Sequence, residues 1–285
     1  MVLHLKSLFV AFKTKAGVRD GTDASLFLVV NTNGKDVLYQ ELGQLCPKKP
    51  ANFADKSYAN YFVVDLSTNE ELKIDDTTYF RLAIGTRSGW TCYYADSWSP
   101  KTVFIWGEDF DGNIVPLAFQ RDANIDLAKT NSSPVSIAIP RAAPCPKNQL
   151  LSDVLIIVLT SDGTWDPISV LLQSNAHTSY THLDIPLSDP AQWDTKTGVT
   201  NLYFPHLERQ RRFTPQALSN GRIVFRKKSG KDRWEPNFVY LFGVRETVEG
   251  TSEVIEILSV PQWKHGGLNT DRPEITIGLS KPAPA

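Results

Sequence analysis

Three side chains in the second half of the chain have the order of an iron-binding triad. His182 and Asp184 are separated by one residue, and His265 follows much later in the chain. Two histidines and one carboxylate on Fe(II) leave one face of the metal open for oxygen chemistry. Arg272, seven residues beyond His265, is then a candidate to bind 2-oxoglutarate. The pattern supports one hypothesis for the function, in which the protein is an enzyme of the non-haem iron oxygenase type. It is the alternative to the binding function that the rest of the sequence favours.

The rest of the sequence argues against that alternative. His-x-Asp is a short motif, and an iron barrel would have to span the domain junction inferred below or fit within about 135 residues. The sequence also contains no G-x-S-x-G, H-E-x-x-H, G-x-x-x-x-G-K-[ST] or G-x-G-x-x-G motif. We therefore interpret the three residues as surface or turn positions, and an enzyme with a pocket between two domains remains the second hypothesis.

Four carboxylates in turn-rich segments are candidate calcium ligands. They are Asp20, Asp23, Asp75 and Asp76. Calcium is a hard cation that takes six to eight oxygen ligands, so carboxylates on neighbouring loops could share one ion. Asp20 and Asp23 are equally suited in type to be turn residues, since aspartates stabilise turns by bonding to their own backbone, and that interpretation stands beside the calcium hypothesis.

Short β-strands are the elements that position these residues. Runs rich in β-branched and aromatic residues, each bounded by turn residues, predict strands. They lie near the N-terminus and at 26–30, 61–64, 80–84, 103–106, 135–139, 154–159, 223–225, 239–242, 254–258 and 275–279. Only residues 52–59 and 215–219 favour a short helix. The sequence therefore predicts an all-β fold of antiparallel sandwiches.

An internal repeat divides the chain into two similar halves. Residues 96–107 and 232–243 share the pattern D-x-W-x-P-x-x-V, followed by three large apolar residues and a glycine. Three further blocks agree at nearly the same offset and in the same order along the chain. Four collinear blocks indicate two tandem sandwich domains related by internal duplication. A proline-rich stretch separates them, so the predicted boundaries are residues 1–143, a linker at 144–149, and residues 150–285.

Several motifs of the first half resemble the PLAT, or lipoxygenase-homology, β-sandwich domain. They are G-T-D-A at residues 21–24, R-L-A-I-G at 81–85, S-G-W at 88–90 and the aromatic segment 93–97 that ends in Asp-Ser. The resemblance covers roughly residues 5–107. The second half departs from it, with Gly163-Thr164-Trp165-Asp166 in place of G-T-D-A and no tryptophan directly after Ser229-Gly230.

The resemblance implies a binding module that contacts membranes or proteins, in some family members with the help of calcium. Trp90, Tyr93, Tyr94 and Trp165 are the candidate contact residues, because indole and phenol rings suit a water–lipid interface. The predicted function is therefore a non-enzymatic protein of two tandem PLAT-like modules that bind a lipid surface or a protein partner. A toxin-like effector and a homo-oligomer are further alternatives.

Composition limits the partners and the compartment. Thirty basic and 31 acidic residues give a net charge of −1, which argues against a nucleic-acid partner. The longest apolar runs are far too short to span a bilayer, and lysines interrupt the N-terminal run, so we expect neither a transmembrane segment nor a signal peptide. Three cysteines without metal-binding spacing predict unpaired thiols or one disulfide with a free thiol, and a cytoplasmic protein.

Overall fold

The computed structural model describes most of the chain as strands in two compact units. The described residues are 2–14, 25–43, 59–66, 72–85, 100–121, 135–162, 168–174, 182–186, 200–203, 213–227, 230–231 and 233–279. The chain divides into residues 1–143 and 144–285. Nearly all described elements are antiparallel strands, which confirms the predicted all-β class. No helix in these ranges is long and apolar enough to cross a membrane.

The first unit contains two four-stranded antiparallel sheets. Strands β4, β1, β7 and β8 form one sheet in that order, and β3, β2, β6 and β9 form the other. The short strand β5 pairs with the start of β1. Their bounds are Leu3–Thr14 (β1), Ser25–Thr32 (β2), Lys35–Gly43 (β3), Ala59–Asp65 (β4), Lys73–Ile74 (β5), Tyr79–Gly85 (β6), Pro100–Asp109 (β7), Ile114–Arg121 (β8) and Val135–Ile139 (β9).

The second unit repeats this order of strand pairing. After the two-residue strand β10, its sheets run β14, β11, β16, β17 and β13, β12, β15, β18. The bounds are Ala143–Pro144 (β10), Asp153–Asp162 (β11), Ile168–Gln173 (β12), His182–Pro186 (β13), Thr200–Tyr203 (β14), Pro215–Ser219 (α1), Arg222–Lys227 (β15), Glu235–Glu246 (β16), Ser252–Val260 (β17) and Glu274–Gly278 (β18). The predicted linker residues 144–149 lie in this unit, where Cys145 N donates to Val254 O.

The registers of the two units also agree in detail. The pairing of β7 with β8 shifts between Ile105 and Trp106, and the pairing of β16 with β17 shifts between Leu241 and Phe242. These are matching positions of the repeated motif, since both pairs directly precede its final glycine. Because a bulge inserts an unpaired residue and bends the strand, its position is a specific feature of a sheet. The two units therefore share strand order and a sheet irregularity.

Each unit has its own apolar core, made by the alternating side chains of its two sheets. In the first unit Leu8, Val10 and Phe12 of β1 pack with Leu28 and Val30 of β2, and all five are fully buried. Successive side chains of a strand point to opposite faces, so alternation along β1 places these three on one face. The sheets therefore enclose one layer of apolar side chains, as in a β-sandwich.

The opposite face of β1 and β7 is apolar and buried as well. Phe9 and Phe104 stack on Trp106, with ring centroids 5.4 and 5.0 Å from the indole. Trp106 is fully buried, and Phe104 also meets Phe119 edge to face. Aromatic packing of this kind adds stability beyond the buried area itself. Trp106 therefore belongs to the packed scaffold of the first unit.

Two tryptophans occupy the core of the second unit. Trp234 is the tryptophan of the repeated motif in the second unit. It is fully buried, and its ring centroid lies 5.8 Å from that of Phe225. Trp263 meets Phe225 edge to face at 5.4 Å, and its Nε1 donates to Gly266 O. Trp234 therefore packs in the core, whereas its counterpart in the first unit, Trp98, lies outside the described residues.

The predicted helix 215–219 is α1, and of the other predicted helix only Ala59, the first residue of β4, is described.

Candidate functional site

Most of the predicted contact and calcium residues lie outside the part of the chain that the structure describes. These are Trp90, Tyr93, Tyr94, Trp165, Asp20 and Asp23. Asp75 and Asp76 are described, in the turn between β5 and β6. Membrane contact through the four aromatic residues, and calcium binding by the Asp20–Asp23 loop, therefore stay predictions.

The Asp75 carboxylate caps its own turn. Its Oδ1 accepts hydrogen bonds from Thr77 N at 2.8 Å, from Thr77 Oγ1 at 2.6 Å and from Thr78 Oγ1 at 3.3 Å. The bonds from the Thr77 hydroxyl and amide lower the pKa of Asp75. The Arg141 guanidinium fastens the turn from the other side by donating to the carbonyls of Asp75 and Thr78. Asp75 therefore has in the structure the turn-forming role that the sequence suggests for Asp20 and Asp23.

Of the proposed iron ligands, the structure describes the side chain of His265 alone. His182 and Asp184 belong to β13, and nothing is described of their side chains. His265 lies edge-on to Trp263, with ring centroids 5.0 Å apart. Arg272 Nη1 donates to His265 O at 2.6 Å, so this guanidinium holds the β17–β18 connection together. No group of three histidine, cysteine or acidic side chains in the described ranges could hold a metal ion.

Among the residues that the structure describes, the most exposed large apolar side chain of each unit lies at a hairpin tip, and the two tips match. Phe110, in the turn between β7 and β8, is 64% exposed, and Val248, in the turn between β16 and β17, is fully exposed. Each is the second residue of a five-residue segment, 109–113 in the first unit and 247–251 in the second. We call these two segments the hairpin tips.

The backbone of the two tips is the same. Asp109 N donates to Asn113 O, as Thr247 N donates to Thr251 O, at 3.0 and 2.9 Å. The fourth residue is Gly112 in one tip and Gly250 in the other, with φ of +81° and +79°. Glycine adopts this left-handed conformation without steric cost, so it closes both turns.

Side chains at the first position of each tip rigidify the turn. Asp109 Oδ1 accepts from Asp111 N at 2.9 Å and from Asn113 N at 2.7 Å, while its Oδ2 accepts from Asn113 Nδ2. In the second tip, Thr247 Oγ1 accepts from Thr251 N at 3.2 Å. Hydrogen bonds from a short side chain to its own turn are a common way to order a loop. Phe110 and Val248 are therefore presented to solvent by ordered turns.

The charges beside the tips are acidic. Asp109 and Asp111 flank Phe110, and Glu249 follows Val248. By contrast, three arginines of the second unit are paired, Arg226 with Glu274, Arg233 with Glu235 and Arg245 with Glu253. The tips thus combine an exposed apolar side chain with negative charge.

The two tips share a short sequence pattern that lies beyond the end of the repeated blocks. D-F-D-G-N and T-V-E-G-T share an apolar second residue, an acidic third residue and a glycine at the fourth position. The aligned blocks stop at Gly107 and Gly243, and one residue separates Gly107 from the first tip whereas three separate Gly243 from the second. The offset between the two copies therefore increases by two positions at this point, which hides the correspondence.

Comparison of the chain with protein-family models, with curated proteins and with solved structures finds no match in any of the three.

Proposed function

We propose that this protein is a non-enzymatic binding protein, built from two tandem PLAT-like modules that contact a lipid surface through their hairpin tips. The observation that carries the proposal is the pair of exposed apolar residues, Phe110 and Val248, on turns with matching backbone hydrogen bonds. A single exposed apolar side chain is common on proteins. Its recurrence at the same place in both units, without a described packing role, supports a shared contact function.

The matching registers support a common origin of the two modules. We infer from the equal strand order and the equal bulge position that the units arose by duplication. Duplication then yields two linked copies of one weak site. Burying a phenylalanine or valine side chain is worth about 1.5–3 kcal/mol, which is little for one tip alone. Covalent linkage raises the effective concentration of the second tip once the first is bound.

The acidic flanks indicate which lipid surface would be preferred. Carboxylates next to the tips are repelled by anionic headgroups, so the proposal favours zwitterionic lipids such as phosphatidylcholine. Calcium enters as a bridging ion, because it would offset these carboxylates at an anionic surface. Asp20, Asp23, Asp75 and Asp76, the candidate ligands from the sequence, would bind calcium through the same kind of carboxylate oxygen.

Vesicle flotation tests the proposal. We expect the protein to float with phosphatidylcholine vesicles in EDTA, and with vesicles that contain phosphatidylserine only when calcium is present. The Phe110→Asp/Val248→Asp double variant should stay at the bottom of the gradient, because it places a charge where the apolar contact is needed. Val37→Asp is the matched control, since Val37 is exposed but lies in β3 and not in a hairpin tip. Absence of flotation in every condition, or equal flotation of the double variant, would overturn the proposal.

A further inference from the structure

The second unit contains a cleft between its short helix and an edge of its first sheet. The cleft has a volume of about 540 Å³ and lies between α1 and β17. Ile255, Ile257 and Leu279 form its apolar floor, and Gln216 and Ser219 of α1 form one wall. Small-molecule sites are typically clefts of about 300–1,000 Å³ with mostly apolar walls and a few polar groups.

Backbone hydrogen bonds hold both walls of the cleft in place. Thr214 Oγ1 accepts from Ala217 N and caps the start of α1, where Pro215 is the first helical residue. Gln216 N donates to Lys147 O at 2.9 Å, which ties the helix to the segment before β11. Leu279 N donates to Gly221 O, also at 2.9 Å. The cleft is therefore formed before any ligand arrives, which reduces the entropic cost of binding.

The first unit is built differently at the matching place. The connection from β4 to β6 contains β5 in its described part, and Ile74 of that strand is fully buried against the core. In the second unit the connection from β14 to β15 contains α1. The cleft therefore belongs to a feature in which the two units differ, and it does not follow from the shared fold.

The charges around the cleft determine which ligand it suits. Lys147 and Glu256 both border it, so the site carries one positive and one negative side chain. Neither an anion nor a cation is favoured by such a pair. Ser219 Oγ donates to Gln216 O within the helix, and the amide of Gln216 and the hydroxyl of Ser219 supply neutral hydrogen-bonding groups.

We propose that this cleft is a binding site for a small uncharged molecule with an apolar body and one or two hydrogen-bonding groups. The floor of Ile255, Ile257 and Leu279 would bury the apolar body, and the α1 side chains would orient its polar end. This site is independent of the hairpin tips, because none of the tip residues borders it.

Fluorescence titration with the neutral dye Nile red, in buffer without vesicles, tests this proposal. We expect saturable binding of one dye per chain with a blue-shifted emission, and weaker binding of the anionic dye ANS. Ser219→Trp places an indole at the mouth of the cleft and should weaken Nile red binding at least about tenfold, which corresponds to roughly 1.4 kcal/mol. Ser219 is exposed on α1, so the substitution leaves the core intact.

Two controls make the result decisive. Lys73→Trp adds an indole to the exposed face of β5, in the matching connection of the first unit, and should leave the affinity unchanged. The Phe110→Asp/Val248→Asp variant should bind the dye as the unmodified protein does, which separates this site from the lipid contact. Equal Nile red affinity of Ser219→Trp, or tighter binding of ANS than of Nile red, would overturn the proposal.

Discussion

Gly107 lies directly against Leu5, so closely that a Cβ on this glycine would come within 2.6 Å of Leu5 Cδ1. The second unit repeats the arrangement, because a Cβ on Gly243 would lie 2.7 Å from Leu151 Cδ1. Both glycines end the repeated motif, and both leucines are buried. The glycine that recurs in the motif therefore has a packing reason, since only glycine leaves room for the leucine side chain.

Gly107→Ala should lower the free energy of unfolding by about 1–3 kcal/mol, the usual cost of forcing an extra methyl group into a packed core. The same substitution in a Leu5→Ala background should be nearly neutral, because the shorter side chain makes room for the Cβ. Denaturant unfolding of the two single variants and the double variant gives the coupling energy. Additive effects of the two substitutions would show that the contact does not explain the glycine.

Asp109→Ala should loosen the first hairpin tip. The substitution removes the carboxylate that accepts from Asp111 N and Asn113 N, and the loss of such a cap costs about 0.5–2 kcal/mol. We expect faster amide exchange at residues 111–113, measured by hydrogen exchange. We also expect a smaller fraction of the protein to float with phosphatidylcholine vesicles in a density gradient. Asp111→Ala is the control, because it removes a neighbouring carboxylate for which the structure describes no capping bond. Similar exchange rates in both variants would contradict the ordering role of Asp109.

The hydrogen bond from Asn31 lowers the pKa of Asp36, and the Arg81 guanidinium at 2.7 Å lowers it further. A lowered folded-state pKa stabilises the fold at pH values above the ordinary carboxyl value of 3.8, and this contribution is lost as the pH falls through the lowered value. Asn31→Ala should therefore raise the pKa of Asp36 in an NMR titration. An unchanged pKa in this variant would mean that Asn31 does not set it.

Cys145 should resist alkylation in the folded protein. Burial raises the pKa of its thiol to about 11, and the Glu253 carboxylate adds to the effect. The reactive thiolate is therefore scarce at pH 8. Peptide mapping after iodoacetamide treatment should show Cys145 unmodified until denaturant is added. Rapid modification of Cys145 in native buffer would contradict its buried position.

Cys46 and Cys92 lie outside the described residues, so the structure tests the prediction of unpaired thiols at Cys145 alone.

Strand β6 can be predicted from the alternation of its sequence, whereas β8 cannot. Phe80, Leu82 and Ile84 alternate along β6, and all three pack in the core of the first unit. β8 escapes prediction because Pro116 interrupts it, and proline is disfavoured inside sheets. The structure explains its presence: Pro116 pairs with Trp106 directly beside the register shift, where the ladder of hydrogen bonds is already broken.

The candidate site shows the same division. The turn at Asp75 is predictable because acidic residues beside threonines mark turns, and this turn is present. The turns of the hairpin tips leave a signal in the sequence, but nothing in it distinguishes Val248 from an apolar residue of the core. Its significance appears only when exposure and the matching hydrogen bonds of the two turns are compared. The pattern of one sequence indicates burial through periodicity, but it does not indicate which apolar residues remain outside the core.

An environment-sensitive fluorophore at position 110 tests the central claim most directly. Phe110→Cys in a Cys46→Ser/Cys92→Ser background can be labelled with NBD, and Val37→Cys serves as the exposed control site in the same unit. On addition of phosphatidylcholine vesicles, the lipid-contact account predicts a blue shift and a rise in emission at position 110, and neither change at position 37. An emission spectrum at position 110 that vesicles leave unchanged would contradict the account.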